Sequence, residues 1–302
     1  MNLEGIHDYL AAKRRGSTTA PGSRLRSKIP PAALRLLATA RVESRALPVT
    51  ALARLTGSSA VILDVPRFGG NFEIDRRSHI FRRLLVDSFE RELAELVRAL
   101  VEPSDTVVDV GANIGLFTVL AARCAPRGRV LSVEASPGAA EMLVRNVARN
   151  HLDNVRVYEG AVSNHADGVT LHLSEGNEEY ASLGGLNHPN APKAARVEVK
   201  VPSQTLDALL AQHELTPQLV KIDVEGAEGL VFEGAQRMLD QARPLLLCEL
   251  DDRLLKGLGH RSQDVIGSLA SHGYHVHDAH DGMPLDANRT ESFVGEIVAL
   301  PA

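Results

Sequence analysis

The sequence predicts an α/β protein with a doubly wound, mostly parallel sheet of seven strands and a small N-terminal cap. Strand-like and helix-like segments alternate along most of the chain, as in repeated βαβ units. Several strand-like segments, such as VVDV and PLLLCEL, are almost continuously apolar. Such runs are typical of strands that are buried on both faces of a parallel sheet. A chain of 302 residues is long enough to bury one large core and a smaller addition.

The first hundred residues are expected to form a leader and a cap. Residues 1–30 are rich in Gly, Ser, Thr, Pro and Arg, so we expect them to be poorly ordered. The cap, 31–100, is expected to contain one or two amphipathic helices, a hairpin around Gly69 and Gly70, and a helix over about 87–101.

The main domain, 101–302, carries the regular alternation. Its expected strands are Thr106–Val110, 130–134, 155–160, 219–224, 244–250, 273–278 and 292–300. Its expected helices are 114–125, 137–150, 205–211, 227–239 and 263–272. A short polar turn joins the last two strands, so we expect the sheet to end in an antiparallel strand. Two further segments, in which apolar and polar residues alternate, flank a polar insert, 175–193.

Polar and small residues collect where the expected strands end. In an open sheet of this kind, ligands bind beyond the carboxyl ends of the strands. The residues at those ends are 110–115, Glu134, Gly160, Ala161, 223–225 and 249–252.

The stretch DTVVDVGANIGLFT, 105–118, joins the first sheet strand to a helix through a loop with two glycines. A dinucleotide fingerprint needs G-x-G-x-x-G after such a strand. Here Asn113 replaces the second glycine and Leu116 the third. No GxxxxGK[ST] motif occurs. The loop therefore favours a cofactor without phosphate, such as S-adenosylmethionine.

Two carboxylates are well placed for that cofactor. Asp109, at the end of the first strand, is the candidate partner of its ammonium group. Glu134 ends the next strand and lies at about the spacing expected of an acid that binds ribose hydroxyls. A cap on the following turn and a solvated strand end are the alternative explanations for these two residues.

The chain resembles class I methyltransferases, and more narrowly the FkbM family, over about residues 70–250. The segments that carry the resemblance are SFERELAELVRALVEPSDTVVDVGANIGLFTVLAAR, VLSVEASPGAAEMLVRNVARNHLDNVRVYEGAVSN, LVKIDVEGAEGLVFEGAQRML and PLLLCEL. The combination of VDVGANIG with KIDVEGAE is the specific part. The resemblance implies a Rossmann-like sheet that binds S-adenosylmethionine and transfers its methyl group, usually to an oxygen.

Positions that match the family's motifs are the expected cofactor-binding residues. They are Glu90 beside the methionine moiety, Gly111, Asn113 and Gly115 in the loop, Glu134 with Ala135 at the ribose, and Gly160 with Ala161 at the adenine. An exposed glutamate beside Arg91 explains Glu90 equally well. Many members have a histidine after the Glu-Leu pair of PLLLCEL. This chain has Asp251 there, so no catalytic histidine is transferred.

A hydroxyl acceptor requires a base or a metal, because its pKa, taken as that of water at about 15.7, lies far above neutral pH. Asp223 is the expected base, and Glu249 and His260 are the other catalytic candidates. Asp223 and Glu249 are also candidate ligands for Mg²⁺, which prefers oxygen atoms. The alternative is that DVEGAE only caps the following helix.

The favoured activity is an S-adenosylmethionine-dependent O-methyltransferase acting on a saccharide, glycolipid or polyketide-type product. The polar insert suits a hydroxylated acceptor. Cap residues form either its pocket or the core; they are Phe68, Phe72, His79 and Phe81. A nicotinamide-dependent oxidoreductase and a catalytically silent cofactor-binding module remain alternatives. A net charge of −5 indicates no nucleic-acid partner. Without an apolar segment long enough for a span or signal peptide, a cytoplasmic protein is expected, and a homodimer is left open.

Overall fold

The computed structural model describes residues 59–174, 181–185, 196–288, 290 and 292–302. The expected leader, the helices expected between 30 and 55, and most of the polar insert lie outside these residues. Within the described ranges, no helix has the length and apolar character needed to cross a bilayer.

The central sheet has seven strands, as predicted. All but β13 run in the same direction, and β13 is antiparallel to both of its neighbours. From edge to edge the strands are β12 (Tyr274–Asp278), β13 (Val294–Pro301), β11 (Leu245–Asp251), β10 (Leu219–Ile222), β3 (Thr106–Val110), β4 (Arg129–Glu134) and β5 (Val155–Glu159).

Helices cover both faces of this sheet. Alternate residues of the central strands enter different apolar clusters. Val107 and Leu219 pack on one face, whereas Val108 and Val220 pack on the other. This two-sided burial is the reason for the unbroken apolar runs. The helices are α1 (His79–Leu85), α2 (Arg91–Leu100), α3 (Leu116–Cys124), α4 (Pro137–Arg149), α5 (Leu206–Gln212), α6 (Glu228–Glu233), α7 (Asp252–Leu255) and α8 (Ser262–Ser271).

Two helix predictions need correction. The helix predicted over 87–101 is α2, and the preceding α1 was not predicted. The Ser78 side chain caps α1 by accepting the backbone N–H of Phe81. The helix predicted over 227–239 is interrupted: α6 ends at Glu233, and a π-helical turn follows over Met238–Ala242. Gly234 follows α6 and packs so closely that a Cβ there would lie 2.3 Å from the Ser163 carbonyl oxygen.

The predicted hairpin forms from β1 (Ala60–Val65) and β2 (Gly70–Asp75). Its buried apolar side chains belong to the cluster that also holds those of α2 and α3. Phe68 and Phe72 are fully buried in it. Phe81 of α1 is buried there too, so these three phenylalanines are core residues.

Shorter strand pairs flank the main sheet. Strands β7 (Val169–Ser174) and β8 (Arg196–Val201) form an antiparallel pair, and β6 (Ala161–Val162) pairs with β9 (Ser203–Gln204) in parallel. The first pair stands beside the carboxyl ends of the parallel strands, where it helps to enclose a cavity.

Candidate functional site

A cavity of about 350 Å³ lies at the carboxyl ends of β3, β4, β10 and β11. This volume falls in the range of sites that bind small molecules. The cap helices and the β7–β8 pair supply the remaining walls. Most of the sequence-predicted site residues line it, namely Glu90, Gly111, Asn113, Glu134, Ala135, Gly160, Ala161, Asp223 and Glu249.

The loop after β3 passes close to the end of β10. Gly111 has a φ of 78°, a conformation that glycine adopts without steric cost. A Cβ at this position would lie 1.7 Å from the carbonyl oxygen of Asp223. Only glycine therefore fits where the loop crosses this strand end.

Every backbone N–H of residues 111–115 already has an acceptor within the protein. The bonds are Gly111 N and Ala112 N to the Val133 carbonyl, Asn113 N to the Glu134 carboxylate, Ile114 N to the Asn113 side chain, and Gly115 N to the Ala112 carbonyl. A loop that binds pyrophosphate presents free N–H groups to it. This loop has none to offer, which agrees with the failed dinucleotide fingerprint.

Glu134 holds the loop in place. One carboxylate oxygen accepts the N–H of Asn113 and the other accepts the N–H of Ser136, both at 2.7 Å. Ser136 is the N-cap position of α4, and Pro137 is the first residue of the helix, as predicted. The carboxylate thus joins the loop to the start of α4 while remaining in the cavity wall.

Asp109, expected near the cofactor's ammonium group, is not among the residues that line the cavity. Its side chain is buried beneath the wall and accepts a hydrogen bond of 2.7 Å from the Thr118 hydroxyl. Burial raises the pKa of Asp109, and the Lys221 ammonium, 3.8 Å away, opposes that shift. Thr118 also lies 2.9 Å from the Ser132 hydroxyl, so a polar network runs under the cavity.

Lys221 is a site residue that the sequence reasoning missed. It is only 5% exposed, yet it lines the cavity. Its Nζ lies 3.2 Å from Asp223 Oδ2 and 5.2 Å from the centre of the Phe117 ring. Burial alone would lower the pKa of Lys221, but the Asp223 and Asp109 carboxylates raise it above its ordinary value. The available signal was a single charged residue in an apolar strand, two positions before Asp223 and hence on the same face.

Carboxyl groups dominate this end of the cavity. The charge of Asp223 raises the pKa of Glu249, an exposed residue of β11, to about 9. Burial, together with the charges of Asp223 and Glu249, raises the pKa of Glu225 to about 9. Glu296 lies opposite Glu249 in the sheet, and burial with its hydrogen bond to Glu90 raises its pKa to about 8. At neutral pH several of these acids therefore carry protons.

The cap contributes a mixed wall from α1 and from the start of α2. His79 lines the cavity, unlike the three buried phenylalanines considered with it. Glu90 also lines it and lies 3.3 Å from the Arg83 guanidinium, whereas Arg91 pairs with Glu95.

Beside β7, the opposite wall is formed by Leu171, Ala181 and Leu183. The Ser182 hydroxyl donates to the Glu225 carbonyl at 2.7 Å and ties this wall to the acidic end. The cavity thus has a glycine-loop end and an end between the cap and β7.

His260 does not reach the cavity. Its ring packs on Gly229, where a Cβ would lie 2.4 Å from His260 Cγ. Its Nε2 lies 3.8 Å from the Glu233 carboxylate. The turn after α7 causes this placement, because it brings the His260 N–H to the Leu255 carbonyl.

Gly115 also lies behind the wall. It begins α3 with a φ of 90°, and a Cβ there would lie 2.6 Å from Leu143 Cδ1. Its part is to let the loop turn tightly into the helix.

The expectation of Mg²⁺ gains no support. Among the residues that the structure describes, no group of three or more His, Cys, Asp or Glu side chains is arranged to hold a metal ion. Of the two candidate ligands, Asp223 already has the Lys221 ammonium beside it.

Comparison with known proteins gives one consistent result. A family model described as a methyltransferase FkbM domain matches residues 109–276. Methyltransferase 1 of Beauveria bassiana (strain ARSEF 2860) is 27% identical over 148 residues, which cover 44% of this chain and 59% of that protein. Methyltransferase sdnD of Sordaria araneosa is 30% identical over 153 residues, with shares of 42% and 59%. The chain thus spans 59% of the length of each relative.

A crystal structure of methyltransferase FkbM from Methylobacillus flagellatus KT is similar with a TM-score of 0.42 and 15% identity, over 72% of this chain and 53% of that one. The family match covers more than half of the residues and includes the glycine loop, Lys221, Asp223 and Glu249. This chain belongs to the methyltransferase FkbM domain family.

Proposed function

We propose that this protein is an S-adenosylmethionine-dependent O-methyltransferase that acts on a hydroxyl group of a saccharide, glycolipid or polyketide-type product. The observation that carries the proposal is the closed hydrogen bonding of residues 111–115 beside a cavity rich in carboxyl groups. The loop suits a donor without phosphate, and the carboxyl groups suit a donor that is a cation.

The glycine-loop end is the donor end in this proposal. Glu134 is the acid that receives the ribose hydroxyls, because its carboxylate lines the cavity at the end of β4, beside the glycine loop. Gly160 and Ala161 border the adenine, and Glu90 faces the methionine moiety. When bound, S-adenosylmethionine supplies a methyl group on a positively charged sulfur, which keeps the bonding electrons when the methyl group leaves.

Asp223 is the proposed general base. One of its oxygens is held by Lys221, and the residue lines the cavity where the donor and acceptor ends meet. The Asp223 carboxylate takes the hydroxyl proton as the acceptor oxygen attacks the methyl carbon. Positioned proton transfer of this kind contributes about 100- to 10,000-fold to a rate.

The acceptor end favours a hydroxylated molecule. Its carboxyl groups, among them Glu225 and Glu249, both accept and donate hydrogen bonds when they carry a proton. Ile80, Phe89 and Leu183 add apolar surface. Sugar rings and hydroxylated polyketides present both kinds of surface. In this proposal, residues 31–100 form a cap over the acceptor and residues 101–302 form the methyltransferase domain.

The test is a search for the methylated product. The full-length protein is incubated with S-adenosylmethionine carrying a ¹³C-labelled methyl group and with fractions of hydroxylated natural products. Mass spectrometry then follows the gain of one labelled methyl group, and NMR identifies the methylated atom. A labelled methyl ether supports the proposal. A label found only on nitrogen or carbon contradicts O-methylation, and donor binding with no transfer to any acceptor favours a silent binding module.

A further inference from the structure

Asn146 in α4 and Asn150 at the C-terminal cap of α4 point at the hairpin. Asn146 is fully buried and Asn150 is 4% exposed, which is unusual for amide side chains. They are four residues apart and therefore lie on the same face of the helix. Both face β2, along the edge that β1 does not cover.

Each asparagine pairs with one residue of β2 as a neighbouring strand would. Asn150 accepts the N–H of Asn71 and donates to its carbonyl, both at 2.9 Å. Asn146 does the same for Glu73. The spacings match, because four helical residues rise about 6.0 Å and two strand residues span about 6.6 Å. The helix thus covers an open sheet edge with side-chain amides.

The second N–H of each side-chain amide donates to a different acceptor. Asn150 donates it to the Asn146 carbonyl, within the helix. Asn146 donates it to the Ile114 carbonyl at 2.8 Å, in the loop that lines the cavity. Among the described residues, Asn146 is therefore a direct hydrogen-bonded link between the hairpin and the glycine loop.

Other contacts fix the hairpin on α4. Gly70 lies so close to Asn150 that a Cβ there would be 2.4 Å from Asn150 Oδ1. The Glu73 carboxylate lies 3.1 Å from the Arg145 guanidinium and 3.6 Å from that of Arg149. Glu73 thus contacts α4 through both its backbone and its side chain.

We infer that the hairpin stabilises the glycine loop, residues 111–115, and that Asn146 is the positioning residue that connects them. Pairing with Glu73 fixes the Asn146 amide group in one orientation. That orientation aims its remaining N–H at the Ile114 carbonyl and holds the loop in the shape that receives the donor. The expected effect on donor affinity rests on the proposed function. The expected effect on hydrogen exchange of the 111–115 amides does not rest on it.

The experiment compares two matched substitutions in the full-length protein. Asn146→Leu and Asn150→Leu each remove two hydrogen bonds to β2, but only Asn146→Leu removes the bond to the loop. Hydrogen exchange of the 111–115 amides is measured without any ligand. Binding of S-adenosylhomocysteine is measured by calorimetry, and melting temperatures report overall stability.

Both substitutions are expected to lower the melting temperature. Only Asn146→Leu is expected to speed exchange of the 111–115 amides, and it weakens S-adenosylhomocysteine binding at least tenfold. Asn150→Leu leaves binding within about threefold of the wild type. If Asn146→Leu does not fold, Asn146→Ser replaces it, because the smaller side chain leaves space for water beside the freed carbonyl groups.

Unchanged exchange of the loop amides in the Asn146 variant would overturn the inference. Equal loss of protection in both variants would also overturn it, since the effect would then come from the hairpin alone. Failure of the wild type to bind S-adenosylhomocysteine would count against the proposed function, while the exchange comparison still decides the role of Asn146.

Discussion

Lys221 and Asp223 form an ion pair of 3.2 Å in the wall of the cavity, and the Lys221 side chain is only 6% exposed. The same ammonium group lies 3.8 Å from the buried Asp109. A single cation thus faces two carboxylates on one face of the sheet. This arrangement fixes one oxygen of Asp223 and balances the charge of Asp109.

Replacing Lys221 with methionine is expected to reduce stability by about 3–5 kcal/mol, because Asp109 is left buried without its cation. Urea denaturation measures the loss. The double variant Lys221→Met/Asp109→Asn removes the uncompensated carboxylate and should recover most of the stability. It should not recover methyl transfer, since Asp223 still lacks its partner. Full activity in the double variant would show that Lys221 has a structural role only.

Replacing Asp223 with asparagine is expected to lower kcat by about 100- to 10,000-fold, since the amide cannot take the hydroxyl proton. Affinity for S-adenosylhomocysteine should change little. His260→Ala is the matched comparison, because the imidazole lies outside the cavity, and it should retain kcat within about threefold. Steady-state kinetics with the acceptor found by the labelling screen decides between them. A large loss of kcat in His260→Ala would show that His260 takes part in catalysis.

Substitution of Glu134 by glutamine is expected to weaken S-adenosylhomocysteine binding at least tenfold, about 1.4 kcal/mol. The amide nitrogen would face the N–H of either Asn113 or Ser136 and loosen the loop. Glu159→Gln provides the control, since this exposed residue is paired with Glu134 in the sheet but does not line the cavity. Titration calorimetry would contradict the assigned role if both variants bound like the wild type.

Stability is expected to fall as the pH rises through the neutral range. The folded-state pKa of Glu225 is raised from 4.5 to about 9 by burial and by neighbouring carboxylates. The folded protein therefore keeps a proton that the unfolded chain releases, and stability declines between pH 4.5 and about 9. The free energy of unfolding is expected to differ between pH 6 and pH 9, and Glu225→Gln should reduce that difference by at least about 1 kcal/mol. Denaturant titrations at the two pH values test this, and an unaltered pH dependence would contradict it.

Methyl transfer is expected to continue in excess chelator. Asp223 already has the Lys221 ammonium beside it, and among the described residues no group of three or more His, Cys, Asp or Glu side chains is arranged to hold a metal ion. The rate is compared in EDTA and after addition of Mg²⁺. Loss of activity in EDTA with recovery in Mg²⁺ would contradict the base assignment.

The fold was predictable where local pattern and tertiary burial agree. The apolar run of β3 predicted a strand with the observed bounds, because both of its faces are buried. Helix α1 was missed, although Ser78 and the apolar positions after it carry a capping signal. The break after α6 falls at Gly234, a residue that favours helix ends, but the close packing of Gly234 on Ser163 is known only from the structure.

The site was predictable where residues end strands. Gly111, Glu134 and Asp223 follow from that rule alone. Asp109 was misplaced because a strand residue next to a loop can face either the ligand or the sheet interior. Asn146 was missed because its partners are distant in sequence and are known only from the packed structure, as is Asp109, the second carboxylate beside Lys221.

Titration calorimetry of the purified protein with S-adenosylhomocysteine and with NADH tests the central claim most directly. The loop at 111–115 offers no free N–H group to a pyrophosphate and is expected to seat the phosphate-free ligand. We expect one S-adenosylhomocysteine to bind per chain at micromolar concentration and NADH not to bind. Binding of NADH alone, or of neither ligand at millimolar concentration, would contradict it.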